Sequence, residues 1–142
     1  MTKEETLIRS ILGPAANDIR SLSCALSVIM HLLFSENIPR DDILVTKHVY
    51  PEVARLTGKS PAAVSRQLER LANLCWEQLG EEERFMLIGR RIRDIRAPRD
   101  MLFYLAYYCQ FDMPYYEILK RNPQILFGNG KLPDPDSGVP DT

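Results

Sequence analysis

The chain has 142 residues, of which 45% are hydrophobic and 26% charged, with a formal net charge of −1. That length suits a single domain and that composition can fill a core, which excludes a wholly disordered chain. The near-zero charge excludes polyanion binding by bulk charge, so any phosphate-binding surface has to come from local clustering.

In chain order, Thr6 to Leu12 reads as a short helix stopped by Gly13-Pro14. A helix of about 18 residues then starts after Asn17 or Asp18, either of which can cap it. Its stripe Ile19, Leu22, Leu26, Ile29 and Leu33 has the three-four spacing of one buried helix face. Its other face is small and polar (Ser21, Ser23, Ser27), which suits a central helix. Asn37-Ile38-Pro39 breaks the pattern, and Asp41 or Asp42 opens a short helix to about His48. Pro51 suits the first turn of the next helix, where its missing N–H is not needed; Val53, Ala54 and Leu56 point that helix into the core, and Gly58 ends it. Ser60 caps a longer helix that starts at Pro61 and runs to about Leu79, with Val64, Leu68, Leu71 and Cys75 buried and Gly80 closing it. Glu81 to Glu83 open a further helix, to which Phe85, Leu87 and Ile88 add apolar weight. Pro98 breaks the chain, Asp100 to Phe111 reads as an aromatic-rich helix, and Tyr115 to Arg121 as a short one. Tyr104 to Cys109 also fits a buried strand, but its flanks favour helix. Residues 1–122 therefore read as one all-α domain, and 123–142, rich in Gly, Pro and Asp, as a flexible C-terminal tail.

The segment from Tyr50 to Trp76 carries the functional reading. A short helix, the turn Gly58-Lys59-Ser60 and a longer helix form the helix-turn-helix pattern. In DNA-binding versions the first half of the second helix enters the major groove, so it needs one buried side and one small or polar side. Val64, Leu68 and Leu71 supply the first; Ala62, Ala63, Ser65, Arg66, Gln67, Glu69 and Arg70 surround it. Arg suits guanine, Gln suits adenine, and Ala can touch the thymine methyl. Lys47, Lys59, Arg66 and Arg70 place positive charge near the turn. The plainer alternative is an amphipathic helix with an ordinary solvated face.

Thr46-Lys47-His48-Val49-Tyr50-Pro51-Glu52-Val53-Ala54, with Trp76 closing the second helix, resembles a known family. In the C-terminal effector domain of the sporulation-initiation response regulators of Firmicutes, a Thr-Lys-x-x-Tyr-Pro-x-Ile/Val-Ala segment leads into a helix-turn-helix. Ile11-Leu12-Gly13-Pro14-Ala15 is similar to the family's Gly-x-Pro-Ala start, and Leu87-Ile88-Gly89 and Pro98 with Phe103 match weaker features. The resemblance spans about residues 7 to 110. It implies a compact all-α bundle of about six helices that binds double-stranded DNA as a transcription factor, often as paired protomers. It also implies that Thr46 and Lys47 lie beside a phosphate, and that Ser60, Ala62, Ala63, Ser65, Arg66 and Arg70 approach the groove. Where the family has Ser-Arg-Val-Glu-Arg, this chain has Ala62-Ala63-Val64-Ser65-Arg66. An Arg and a Glu are lost and Arg66 is kept, so an altered target sequence is expected. No Asp-rich parallel α/β segment precedes residue 7, so phosphorelay control is not expected from these residues.

Arg84, Arg90, Arg91, Arg93, Arg96 and Arg99 form the densest basic region. Arg90, Arg91 and Arg93, with His48 beside Lys47, are candidate phosphate contacts. The late tyrosines (Tyr104, Tyr107, Tyr108, Tyr115, Tyr116) suit core packing and a homodimer face better than base stacking. Cys24, Cys75 and Cys109 lack ligand or CxxC spacing and read as reduced, buried thiols. His31 reads as a core-edge residue, and neither histidine has companions for a metal or catalytic set. No cofactor, metal, small-molecule substrate or enzymatic activity is therefore expected. The first residues hold no apolar signal region and no apolar run is long enough for a bilayer, so the chain is expected to be cytoplasmic. Near-neutral charge, Ala63 and Ser65 also admit a second function: a stand-alone protein–protein interaction module that kept the fold and lost specific DNA contact.

Overall fold

The computed structural model describes residues 1–14, 18–93, 95 and 98–127. It is all-α, with no strand among the described residues. Among the described residues seven helices follow one another: α1 (Lys3–Leu12), α2 (Arg20–Met30), α3 (Tyr50–Thr57), α4 (Pro61–Gln78), α5 (Glu81–Ile88), α6 (Pro98–Phe111) and α7 (Tyr115–Arg121). The all-α expectation holds, with one helix more than the resemblance implied. No helix is long and apolar enough to cross a membrane among the described residues.

α6 is the axis of the bundle. Met101 through Tyr107 are all buried, so this helix is covered on every side, and it packs on α2 and α4. α2 contributes Leu22, Ala25, Leu26 and Ile29, and α4 contributes Val64, Leu68, Leu71 and Cys75, each buried as their spacing predicts. The Tyr107 ring meets Phe34 and Tyr115 edge-on at centroid distances of 5.3 and 5.1 Å. Tyr104, Tyr107 and Tyr115 are thus core residues, and only Tyr108 and Tyr116 keep partial exposure.

Several boundaries differ from the sequence expectation for identifiable reasons. α1 begins at Lys3, because Thr2 and Glu5 form a capping box: Thr2 Oγ1 accepts from the Glu5 amide at 3.1 Å and Glu5 Oε1 accepts from the Thr2 amide at 2.9 Å. The helix expected over residues 41–48 is two pieces. A 3₁₀ turn at Arg40–Asp42 and a wide five-residue turn at Val45–Val49 flank extended backbone at Ile43 and Leu44. That extension sends Ile43 and Val45 into the core and leaves Leu44 53% exposed. Gly80 has an ordinary φ of −75° and precedes α5, while Leu79 caps α4. Pro98 starts α6 instead of standing before it. Leu56, expected in the core with Val53 and Ala54, is 54% exposed because it lies on the outer side of α3, and Phe85 is on the surface, beside a well-exposed Met86. His31 is exposed, with Nε2 2.8 Å from Glu36. The expected tail does not begin at 123: Pro123–Phe127 is a 3₁₀ turn that buries Ile125. The remainder of that tail, from residue 128 onward, and Asn17 as a cap lie outside the described residues.

Candidate nucleic-acid interface

α3 and α4 are joined by three residues whose backbone is fixed locally. Pro51 stands in the first turn of α3, and Tyr50, Val53 and Ala54 bury its inner face. Gly58 is left-handed at φ +72°, and an added Cβ would meet nothing within 4 Å, so backbone conformation and not space requires glycine. The Lys59 amide returns to the Ala54 carbonyl at 3.1 Å. Ser60 Oγ accepts from the Ala63 amide at 3.2 Å, and Pro61 opens the 18-residue α4.

A polar clamp sets how this unit sits on the bundle. Gln67 Oε1 accepts from Ser21 Oγ and from Lys59 Nζ, both at 2.8 Å. Lys59 Nζ also lies 3.4 Å from Ser21 Oγ and 3.9 Å from Asp18 Oδ2. The Ser21 side chain is wholly buried, so this network satisfies a hydroxyl that would otherwise be stranded. Asp18 accepts from the Arg20 side chain and amide, and these bonds hold its carboxyl well below the usual carboxylate range. Lys59 and Gln67, expected on the DNA-facing side, are instead half-buried and tied to α2. Residue 67 is on the flank of α4 toward Ser21, which helix periodicity within α4 does not reveal.

The other expected contacts divide by exposure. Thr46, Lys47 and His48 are exposed on the wide turn leading into α3; Ser60, Ala62, Arg66 and Arg70 are exposed on α4; Ala63 and Ser65 are half-buried. Ser65 Oγ faces Glu69 Oε2 at 3.4 Å. His48 Nδ1 accepts from the Leu44 amide at 2.9 Å, which orients the ring and leaves Nε2 outward. Among the described residues, Lys47, Arg66 and Arg70 have no carboxylate within ion-pair distance. Arg99, read from sequence as one of the Arg84 to Arg99 basic stretch, has an electrostatic influence on Tyr50 of α3. Burial raises the Tyr50 hydroxyl above its ordinary pKa, Glu69 raises it further and Arg99 opposes them. Arg99 follows Tyr50 by about a third of the chain, and the packing of α6 brings it within electrostatic range of that hydroxyl.

The second basic group is elsewhere. Arg84 lies over the Trp76 ring, 4.1 Å from its centroid, and donates from Nε and Nη2 to the Trp76 carbonyl at 3.1 and 2.7 Å, capping the last turn of α4. Arg91 pairs with Glu81 at 3.2 Å and Glu82 at 3.3 Å. Arg90 covers the Tyr116 ring at 4.0 Å, and Arg93 is exposed. Since Arg84 touches Trp76, this group belongs to the far end of α4. Fifteen residues at 1.5 Å each put it about 22 Å along the axis from Pro61.

Among the described residues, no group of three His, Cys, Asp or Glu side chains is placed to hold a metal ion. The three cysteines are free thiols, and burial pushes Cys75 up to about 12, so it stays protonated at neutral pH. Comparisons with models of protein families, with curated proteins and with solved structures find no match for this chain.

Proposed function

We propose that this chain is a DNA-binding transcriptional regulator in which α3, the Gly58 turn and α4 act as a helix-turn-helix, with the first half of α4 in the major groove. The observation that carries this reading is the exposed face of α4. Ala62, Arg66 and Arg70 stand clear of the bundle, while Val64, Leu68 and Leu71 hold the helix down. Thr46, Lys47 and His48, exposed on the turn that leads into α3, serve as phosphate contacts in this reading. Lys59 and Gln67 serve as positioning residues through their bonds to Ser21. The likeness of Thr46–Ala54 and Trp76 to the sporulation-initiation effector domains supports the same reading, as does the small Ala62-Ala63 start of α4. Ala63 and Ser65, standing where that family has Arg and Glu, give a different operator. A cytoplasmic site of action and pairing of two protomers on DNA are part of the proposal.

Titration of random-sequence duplex DNA, followed by fluorescence anisotropy, tests it. Binding at low salt whose affinity falls steeply as salt rises is expected. No binding at low salt defeats the reading. The runner-up, a protein-interaction module, draws on Leu44 and Leu56, 53% and 54% exposed. It predicts no salt-dependent DNA affinity.

A further inference from the structure

The arginine group beyond Trp76 surrounds a recess of about 480 Å³, within the usual range for a small-ligand site. Its walls include Glu81, Arg84, Phe85, Arg90, Arg91 and Arg93. The chain builds it by reversing direction. Gly89 closes α5 at φ +91°, and two residues later the Arg91 side chain reaches Glu81 and Glu82 in the first turn of that helix. Three of the four guanidiniums are held in place: Arg84 on Trp76, Arg90 on Tyr116, and Arg91 on Phe85, 4.9 Å from the ring centroid, and on the two glutamates. Arg84 uses Nε and Nη2 on the Trp76 carbonyl, and Arg91 uses Nη1 and Nη2 on the two glutamates. Arg90 and Arg93 have no carboxylate partner within ion-pair distance among the described residues. Glu81 and Glu82 offset only part of the converging positive charge, and the excess favours an added anion.

We infer that this recess is a binding site for a compact, multiply charged phosphate ligand of the di- or polyphosphate class. Guanidinium forks match phosphate oxygens bidentately, and the two forks of Arg90 and Arg93, with the charge of Arg84 behind them, suit more charge than one monoanion carries. The Phe85 ring gives the site an apolar wall for a group attached to the phosphates. The site is concave and lies about 22 Å along α4 from the proposed reading end, so it does not rest on the DNA-binding reading.

Calorimetric titration of the full chain with sodium pyrophosphate tests the inference. Wild type is expected to bind saturably, with one site per chain. The double variant Arg90→Ala/Arg93→Ala is expected to bind at least tenfold more weakly. Both side chains are exposed, and circular dichroism checks that the variant is folded. Arg66→Ala/Arg70→Ala removes the same charge from α4 and is expected to stay within twofold of wild type. No saturable binding by wild type, or equal weakening in the two double variants, overturns the inference. A parallel titration with duplex DNA separates the two phosphate sources. If Arg90→Ala/Arg93→Ala weakens DNA binding while wild type ignores pyrophosphate, the recess serves the DNA backbone and the small-ligand site is refuted. Pyrophosphate binding in a protein that fails to bind DNA supports the inference and defeats only the reading of α4.

Discussion

At the scale of single residues, exposure and pairing assign distinct roles to the basic side chains near α4. Arg66 is exposed without a carboxylate partner among the described residues, so it is the side chain best placed to reach a base edge. Arg66→Ala is expected to cost about 1–3 kcal/mol at a preferred site and to relax specificity at one position. Lys47→Ala should weaken all sequences alike and reduce the slope of log affinity against log salt by about 1, which anisotropy at several salt concentrations measures. Cys75 supplies a pH dependence. Its thiol is raised from 9.0 to about 12 in the folded chain by burial, so the folded state keeps a proton that the unfolded chain releases as pH rises through 9. Stability is therefore retained below pH 9 and falls between pH 9 and about 12, by at most about 1.4 kcal/mol per unit. Chemical denaturation at pH 8 and pH 10 should show this fall in wild type and a smaller one in Cys75→Ala.

At the scale of elements, the α3–α4 unit depends on its turn and on its clamp. Gly58→Ala meets no steric obstacle, so its cost is the strain of a left-handed backbone alone, about 1–2 kcal/mol, and Gly58→Asn should recover part of it. Thermal melts of the two variants decide this; equal stability of Gly58→Ala and wild type would contradict the turn assignment. Gln67→Ala leaves the buried Ser21 hydroxyl without its 2.8 Å acceptor and should destabilise the chain by about 1–3 kcal/mol. The same change lowers DNA affinity only through the angle of α4, so the salt slope should stay as in wild type. Much of this unit was legible in the sequence. Pro51, Gly58, Ser60 and Pro61 act through local backbone preferences that any chain shares, and Val64, Leu68 and Leu71 through periodicity. The clamp was not legible, because Ser21 and Gln67 are 46 residues apart and nothing local marks them as partners. The start of α1 could have been read: Thr2-Lys3-Glu4-Glu5 is a capping-box pattern.

For the whole molecule, burial follows the amphipathic stripes, so the all-α architecture was readable from residue spacing. The packing that encloses α6 was not. Its apolar, aromatic run fits a buried helix or strand equally by hydrophobicity, and only the flanking elements decide. The same packing settles the tyrosines, placing Tyr104, Tyr107 and Tyr115 inside one chain. It also gathers the arginines beyond Trp76 around a recess, through the Gly89 reversal, which a linear reading sees only as a dense basic stretch. The charge of the molecule is thus near zero in sum but arranged in two basic regions at opposite ends of α4. Selection of bound duplexes from a random DNA pool, run with wild type and with Arg66→Ala, tests the central claim most directly. One enriched sequence for wild type, with preference lost at one position in Arg66→Ala, is the predicted result. Retention of no duplex at low salt, or an identical enriched sequence from both proteins, would contradict the assignment of α4 as the reading helix.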